Sequence, residues 1–192
     1  MSVRRASTQR ESCEVAQTDP DILRRLATGE ISALGELYDR YQDPIRRFVG
    51  RATSDAEDVD DLVHATFLAA AEIAGRYDGR PSCRPWLIGI AAQRIRYRRQ
   101  SFARLLALLS SVRGALVTAV DPRHELDARS EVERVLVRIS EPKRVTFLMA
   151  EAEGMTCPEI AAALQIPLGT VWTRLHAARR ELRKVLQEER ES

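Results

Sequence analysis

Apolar residues recur at helical spacing through most of this chain. Asp19-Pro20 reads as an N-cap followed by proline at the first helical position, opening a short helix that ends near Gly29. Leu34, Leu37, Tyr38 and Tyr41 define a second helix over 31–41. Pro44 is expected to break or kink it, and Ile45, Phe48 and Val49 continue the same face beyond. Val59, Leu62, Val63, Phe67 and Ala70 form one stripe of a helix over 56–74, which makes Phe67 a core residue. The run Tyr77-Asp78-Gly79-Arg80-Pro81-Ser82 carries turn chemistry and predicts a loop over 76–85. A long basic helix is predicted from 85 to about 103, with Trp86 placed in the core by the apolar run after it. Helices follow over 125–139 and 141–153, the second capped by Ser140 and stopped at Gly154.

The last third is the most specific part. Thr156-Cys157-Pro158-Glu159 fits a capping box, and Ile160, Ala161 and Leu164 give the short helix after it an inner face. A tight turn over 165–169 leads to a second helix opening near Gly169 or Thr170. Val171, Leu175, Ala178, Leu182 and Val185 are spaced to pack inward. The outer face is left with Thr170, Trp172, Thr173, Arg174, His176, Arg179, Arg180 and Arg183. That is the composition of a helix lying in a major groove, its first residues at base edges and its later arginines on phosphates. An ordinary helical hairpin would share the spacing. The capping box, turn and basic face together favour a helix-turn-helix.

Composition adds two points. Abundant Ala, Leu, Arg and Glu with few aromatics favour helices, so the expected class is all-α. Charge is segregated: 19–78 holds thirteen acids and seven bases, whereas 79–120 holds eight arginines and no acid. Cys13, Cys83 and Cys157 are far apart, so a zinc site and any other metal set are not expected. The apolar runs 105–112 and 114–120 are too short to span a bilayer and are separated by Arg113. With no leader-like segment in 1–17, a cytoplasmic protein without membrane insertion is expected. The chain divides into a disordered tail (1–18), a first helical domain (19–104), an apolar linker with some helix (105–124) and the helix-turn-helix domain (125–188).

Glu153-Gly154-Met155-Thr156, Ile166-Pro167-Leu168-Gly169-Thr170-Val171 and Arg174-Leu175-His176-Ala177-Ala178-Arg179 resemble the C-terminal domain of extracytoplasmic-function sigma factors of the sigma-70 family. The first domain resembles their promoter-melting domain in order and spacing. The matching runs are Leu37-Tyr38-Asp39-Arg40-Tyr41, Asp60-Asp61-Leu62-Val63-His64-Ala65-Thr66-Phe67-Leu68, Tyr77-Asp78-Gly79-Arg80 and Trp86-Leu87-Ile88-Gly89-Ile90-Ala91. The resemblance implies core RNA polymerase and promoter DNA as partners, an anti-sigma factor as regulator, and no cofactor. It implies that Asp58, Asp60, Asp61 and His64 face the polymerase clamp. It implies that the loop with Tyr77, Arg80, Ser82 and Arg84 holds an extruded base of the minus-ten element. Arg94, Arg96, Arg98 and Arg99 would then bind phosphates, and the C-terminal helix would read the minus-thirty-five element through Thr170, Trp172, Thr173, Arg174, His176, Arg179 and Arg180. Stacking and cations suit separated strands, and an extruded base must recover an unstacking cost of roughly a few kcal/mol.

The chain departs from the family pattern at Ala65, Ala70-Ala71, Pro81, Cys83, Trp172 and Ala177. These positions bear on promoter sequence and leave the function class intact. Two other readings have less support. A decoy that binds only an anti-sigma factor has no need of the basic faces, and a stand-alone helix-turn-helix regulator has no need of the melting-domain motifs. An enzyme is not expected, because no nucleophile–base pair or phosphate-cradling glycine loop is present.

Overall fold

A computed structural model describes residues 17–113 and 131–191, and these are all-helical, without strands among the described residues. The expected tail lies outside the described residues except for Gln17 and Thr18. The first half contains α1 (Asp19–Ala27), α2 (Ile31–Ala52), α3 (Asp58–Ile73), a 3₁₀ turn (Ala74–Arg76) and α4 (Arg84–Arg113). The second contains α5 (Glu131–Val137), α6 (Glu141–Glu151), α7 (Cys157–Leu164) and α8 (Leu168–Glu191). The 125–130 part of the expected helix over 125–139 lies outside the described residues.

α2 runs through Pro44 unbroken, which corrects the expected break. Proline in a helix interior costs about 3 kcal/mol. Leu37 before it and Ile45, Phe48, Val49 and Ala52 after it are all buried on one face, and that shared face holds the helix together across the proline. Each large side chain so buried contributes roughly 1.5–3 kcal/mol. α4 also exceeds its expected end. It continues to Arg113, so the first nine residues of the stretch read as linker are helix. Its inner face is Leu87, Ile88, Ala91, Ala92 and Ile95, packed against α2 and α3.

Asp19 differs from its expected role. Thr18 is the N-cap, its hydroxyl accepting from the Asp21 amide, and Asp19 turns inward. Its carboxylate is buried and accepts from the Tyr41 hydroxyl, from Arg40 at 2.7 Å and from the Cys83 amide at 2.8 Å. One side chain thus ties α1 and α2 to the residue before α4. Burial is the largest single influence on its pKa and raises it, but the donors from Tyr41, Cys83 and Arg40 together outweigh burial and leave the pKa below the ordinary value.

Asp19→Asn should cost about 1–3 kcal/mol in urea unfolding at neutral pH. A carboxylate with a depressed folded pKa stabilises the fold above its unfolded value, near ~3.9. The gap between parent and variant should therefore be full at neutral pH and close as pH falls through the folded value. A gap that does not vary with pH would show that the charge contributes nothing.

Candidate nucleic-acid interface

The capping box opens α7: the Glu159 amide donates to the Thr156 hydroxyl, and the Thr156 amide donates to the Glu159 carboxylate at 2.9 Å. Gln165, in the left-handed region at φ +52°, ends α7 and turns the chain toward α8. Val171, Leu175, Ala178, Leu182 and Val185 are all buried, as their spacing requires. The opposite face presents Trp172, 59% exposed, with Thr173, His176, Arg179 and Arg180. A tryptophan so open to water is not serving the core. The Thr173 hydroxyl donates to the Gly169 carbonyl at 2.8 Å, and Arg179 pairs with Glu151 at 2.6 Å. Thr170 is half-buried at the start of α8. Arg174 is also half-buried, turned toward α4 instead of outward.

The loop before α4 turns at Gly79, whose φ of +77° is one that L side chains rarely adopt. Tyr77 donates its hydroxyl to the Arg80 carbonyl at 2.7 Å and meets Trp86 edge-on, ring centroids 5.3 Å apart. Trp86 is therefore half core and half wall of this loop. The two rings line a cavity of about 400 Å³ with Arg80 and Ser82. Burial, and then the nearby Asp19 charge, push the Cys83 thiol up to about 12, so it packs as a neutral group.

Along α4, Arg98 pairs with Asp58 and lies 4.0 Å from Asp61. Asp60 pairs with Arg46, and His64 stacks on Tyr38 with ring centroids 6.1 Å apart. These α3 acids thus neutralise nearby arginines as well as the helix N-terminus. Arg94 lies against Tyr97, and its Nε is buried without a hydrogen-bond partner.

The remaining arginines lead to the second half. Arg80 reaches Glu159 at 2.9 Å and Arg84 reaches Glu153 at 2.8 Å. Arg96 donates to the Leu164 carbonyl at 2.8 Å, and Gln93 to the Ala163 carbonyl at 2.7 Å. Arg99 lies 3.4 Å from Glu141. Burial raises the Glu141 pKa, against the pull of Arg99 and Arg144. Sequence reasoning missed Arg144, which is fully buried. It donates to the Ala52 carbonyl at 2.9 Å and the Ser54 hydroxyl at 2.8 Å in the first half, and to the Leu136 carbonyl. Its place four residues before Leu148, on the apolar stripe of α6, was the available signal.

The sigma-70 region 2 family matches residues 37–104, and the sigma-70 region 4 family matches 129–182. The RNA polymerase sigma factor NccH of Alcaligenes xylosoxydans xylosoxydans is 30% identical over 181 residues, covering 88% of this chain and 97% of that protein. The ECF RNA polymerase sigma factor SigL of Mycobacterium tuberculosis is 31% identical over 168 residues, covering 84% of this chain and 93% of that protein. Among solved structures, CnrH in complex with the cytosolic domain of CnrY superposes with a TM-score of 0.60 at 25% identity, covering 90% of this chain and 99% of that one. The chain belongs to the extracytoplasmic-function group of the sigma-70 family. Among the described residues no helix is long and apolar enough to cross a membrane.

Thr156→Ala should remove the capping box and destabilise the second half by about 1 kcal/mol, whereas Thr156→Ser should keep most of it. Urea unfolding of the three proteins checks this. Equal midpoints would mean that α7 is held by packing alone.

Proposed function

We propose that this chain, an RNA polymerase sigma factor, divides promoter reading between the exposed face of α8 and the loop before α4. The observation that carries this is the α8 face itself. Trp172, Thr173, His176, Arg179 and Arg180 stand clear of a fully apolar inner stripe, in a chain that matches both sigma-70 regions in order. Duplex readers place the start of such a helix against base edges and its later cations on phosphates. On this reading Thr170, Trp172, Thr173 and His176 reach the minus-thirty-five bases, Arg174 joins them once it turns away from α4, and Arg179 and Arg180 anchor the backbone.

The first half then serves strand separation. Tyr77 and Ser82 border the cavity that would take an extruded base, and Arg80 and Arg84 flank it. Arg94, Arg96, Arg98 and Arg99 would follow the separated strand. The exposed Asp60, Asp61 and His64, with the half-buried Asp58, would face core polymerase in the cytoplasm. The four units 1–18, 19–104, 105–124 and 125–188 would be tail, melting domain, linker and duplex reader. CnrH was captured with the cytosolic domain of CnrY. By that likeness this chain takes a protein regulator of the anti-sigma type.

Added to core polymerase, the protein should give transcripts from a promoter in its own genome; none from any genomic promoter would overturn the reading. Arg174→Ala should weaken cognate minus-thirty-five binding by about 1–3 kcal/mol and relax preference at one base. An equal loss on all sequences would make it a phosphate contact. Arg98→Gln should lower the salt slope of promoter opening by about 1; an unchanged slope would remove Arg98 from the DNA surface.

A further inference from the structure

We propose that Trp172 makes α8 a reader of thymine methyl groups: with Leu168 beside it, its ring takes the minus-thirty-five element by apolar contact in the major groove. This rests on the placement of α8 against that element under the proposed function, and it names the base that the helix prefers. Trp172 is 59% exposed and Leu168 is 36% exposed, and the two stand one turn apart on the same side of α8. Neither belongs to the buried stripe of Val171, Leu175, Ala178, Leu182 and Val185. Two large apolar groups are thus held open to water at the end of the helix that meets base edges.

The residues around them leave little for other ways of reading a base. Leu168-Gly169-Thr170-Val171-Trp172-Thr173 contains no carboxylate to accept from a cytosine amine. It also contains no guanidinium or amide to grip guanine or adenine by two hydrogen bonds. The Thr173 hydroxyl donates to the Gly169 carbonyl, which leaves its methyl as the free end of the side chain. Thr170 is half-buried. Arg174, the first cation of the helix, lies two residues past Trp172 and so on a different face, beside Arg96 and Arg99. Apart from the indole N–H, the side Trp172 holds out is mainly carbon. A Cβ built on Gly169 would meet nothing within 4 Å, so the backbone beside Trp172 is bare and a base edge can come close.

The major-groove edges of the base pairs offer one apolar group, the C5 methyl of thymine, among donors and acceptors. An indole pressed on the polar atoms strips their water without replacing their hydrogen bonds. Pressed on the methyl, it buries carbon against carbon. Its N–H can donate to N7 of either purine and so does not tell adenine from guanine. Arg179 and Arg180, about two turns further along, remain for phosphates. The arginines then supply a grip that weakens with salt, and Trp172 supplies a choice of base that does not.

Holoenzyme reconstituted from the full chain is used to select duplexes from a randomised library, and the selected minus-thirty-five element is remade with deoxyuridine in place of each thymine in turn. That exchange removes only the methyl. Affinity should fall about fourfold at one or two positions, the contribution of one buried methyl-sized group. At those positions 5-methylcytosine should bind better than cytosine by a similar factor. Trp172→Ala should bind the thymine and deoxyuridine duplexes alike, with an unchanged salt slope, and Trp172→Phe should keep part of the discrimination. The ring lies outside the core, so all three proteins should share one urea midpoint. A selected element that tolerates deoxyuridine throughout would overturn methyl reading while leaving the sigma-factor reading intact. Discrimination that survives in Trp172→Ala would take the role from Trp172. A loss equal on every duplex would make the ring a sugar contact and also overturn the proposal. Selection of no element at all would count against the proposed function of α8 and remove this inference with it.

Discussion

A guanidinium cannot sit in an apolar core with its donors idle, and that constraint organises the contact between the halves. Arg144 is 1% exposed and surrounded by the stripe that packs α6. Among its acceptors, the Ala52 carbonyl and the Ser54 hydroxyl belong to the first half. Alone, the second half would keep the Leu136 carbonyl but would have to return to water, or bury without acceptors, the donors that Ala52 and Ser54 satisfy. Arg144 therefore specifies register more than it adds stability. It fixes which part of α2 meets α6, and so where α7 lands on α4.

Asp19 plays the matching role within the first half. A buried carboxylate needs donors, and it draws them from α2 and from the backbone just ahead of α4. The loop before α4 is thereby anchored where α4 starts, while Gly79 lets it turn and Tyr77 braces it on its own backbone. The site stands on rigid elements at both ends, which a base-holding cavity requires.

What the sequence made legible follows from what is local. The capping box, the α8 stripe and Phe67 in the core all rest on spacings within one helix, and each appears where spacing put it. The all-α class followed from composition together with the same periodicity. Pro44 does not break α2, because the apolar face read on both sides of it belongs to one helix. Asp19 misled because its cap position was one residue off, and a partner 64 residues away claimed it. Arg174 reads as outward from α8 alone, and only α4 turns its surroundings into a seam. Arg144 showed only its place on the apolar stripe and not its acceptors, and the pairing of Arg80 and Arg84 with Glu159 and Glu153 is wholly non-local, so no period or motif could announce it.

The segregated charge now has a physical use. An acid-free run from 79 to 120 would repel itself unless anions cover it. Inside the chain the cover comes from Glu153, Glu159 and Glu141, each held on α6, on α7 or in the turn between them. Pairs whose arginine is half-exposed, as in all three, contribute only about 1 kcal/mol or less apiece and weaken with salt. The α4–α7 packing adds to them, and the Arg96–Arg99–Arg174 cluster subtracts. A contact balanced this closely between small terms of opposite sign is held in register by Arg144 and not by its charge pairs.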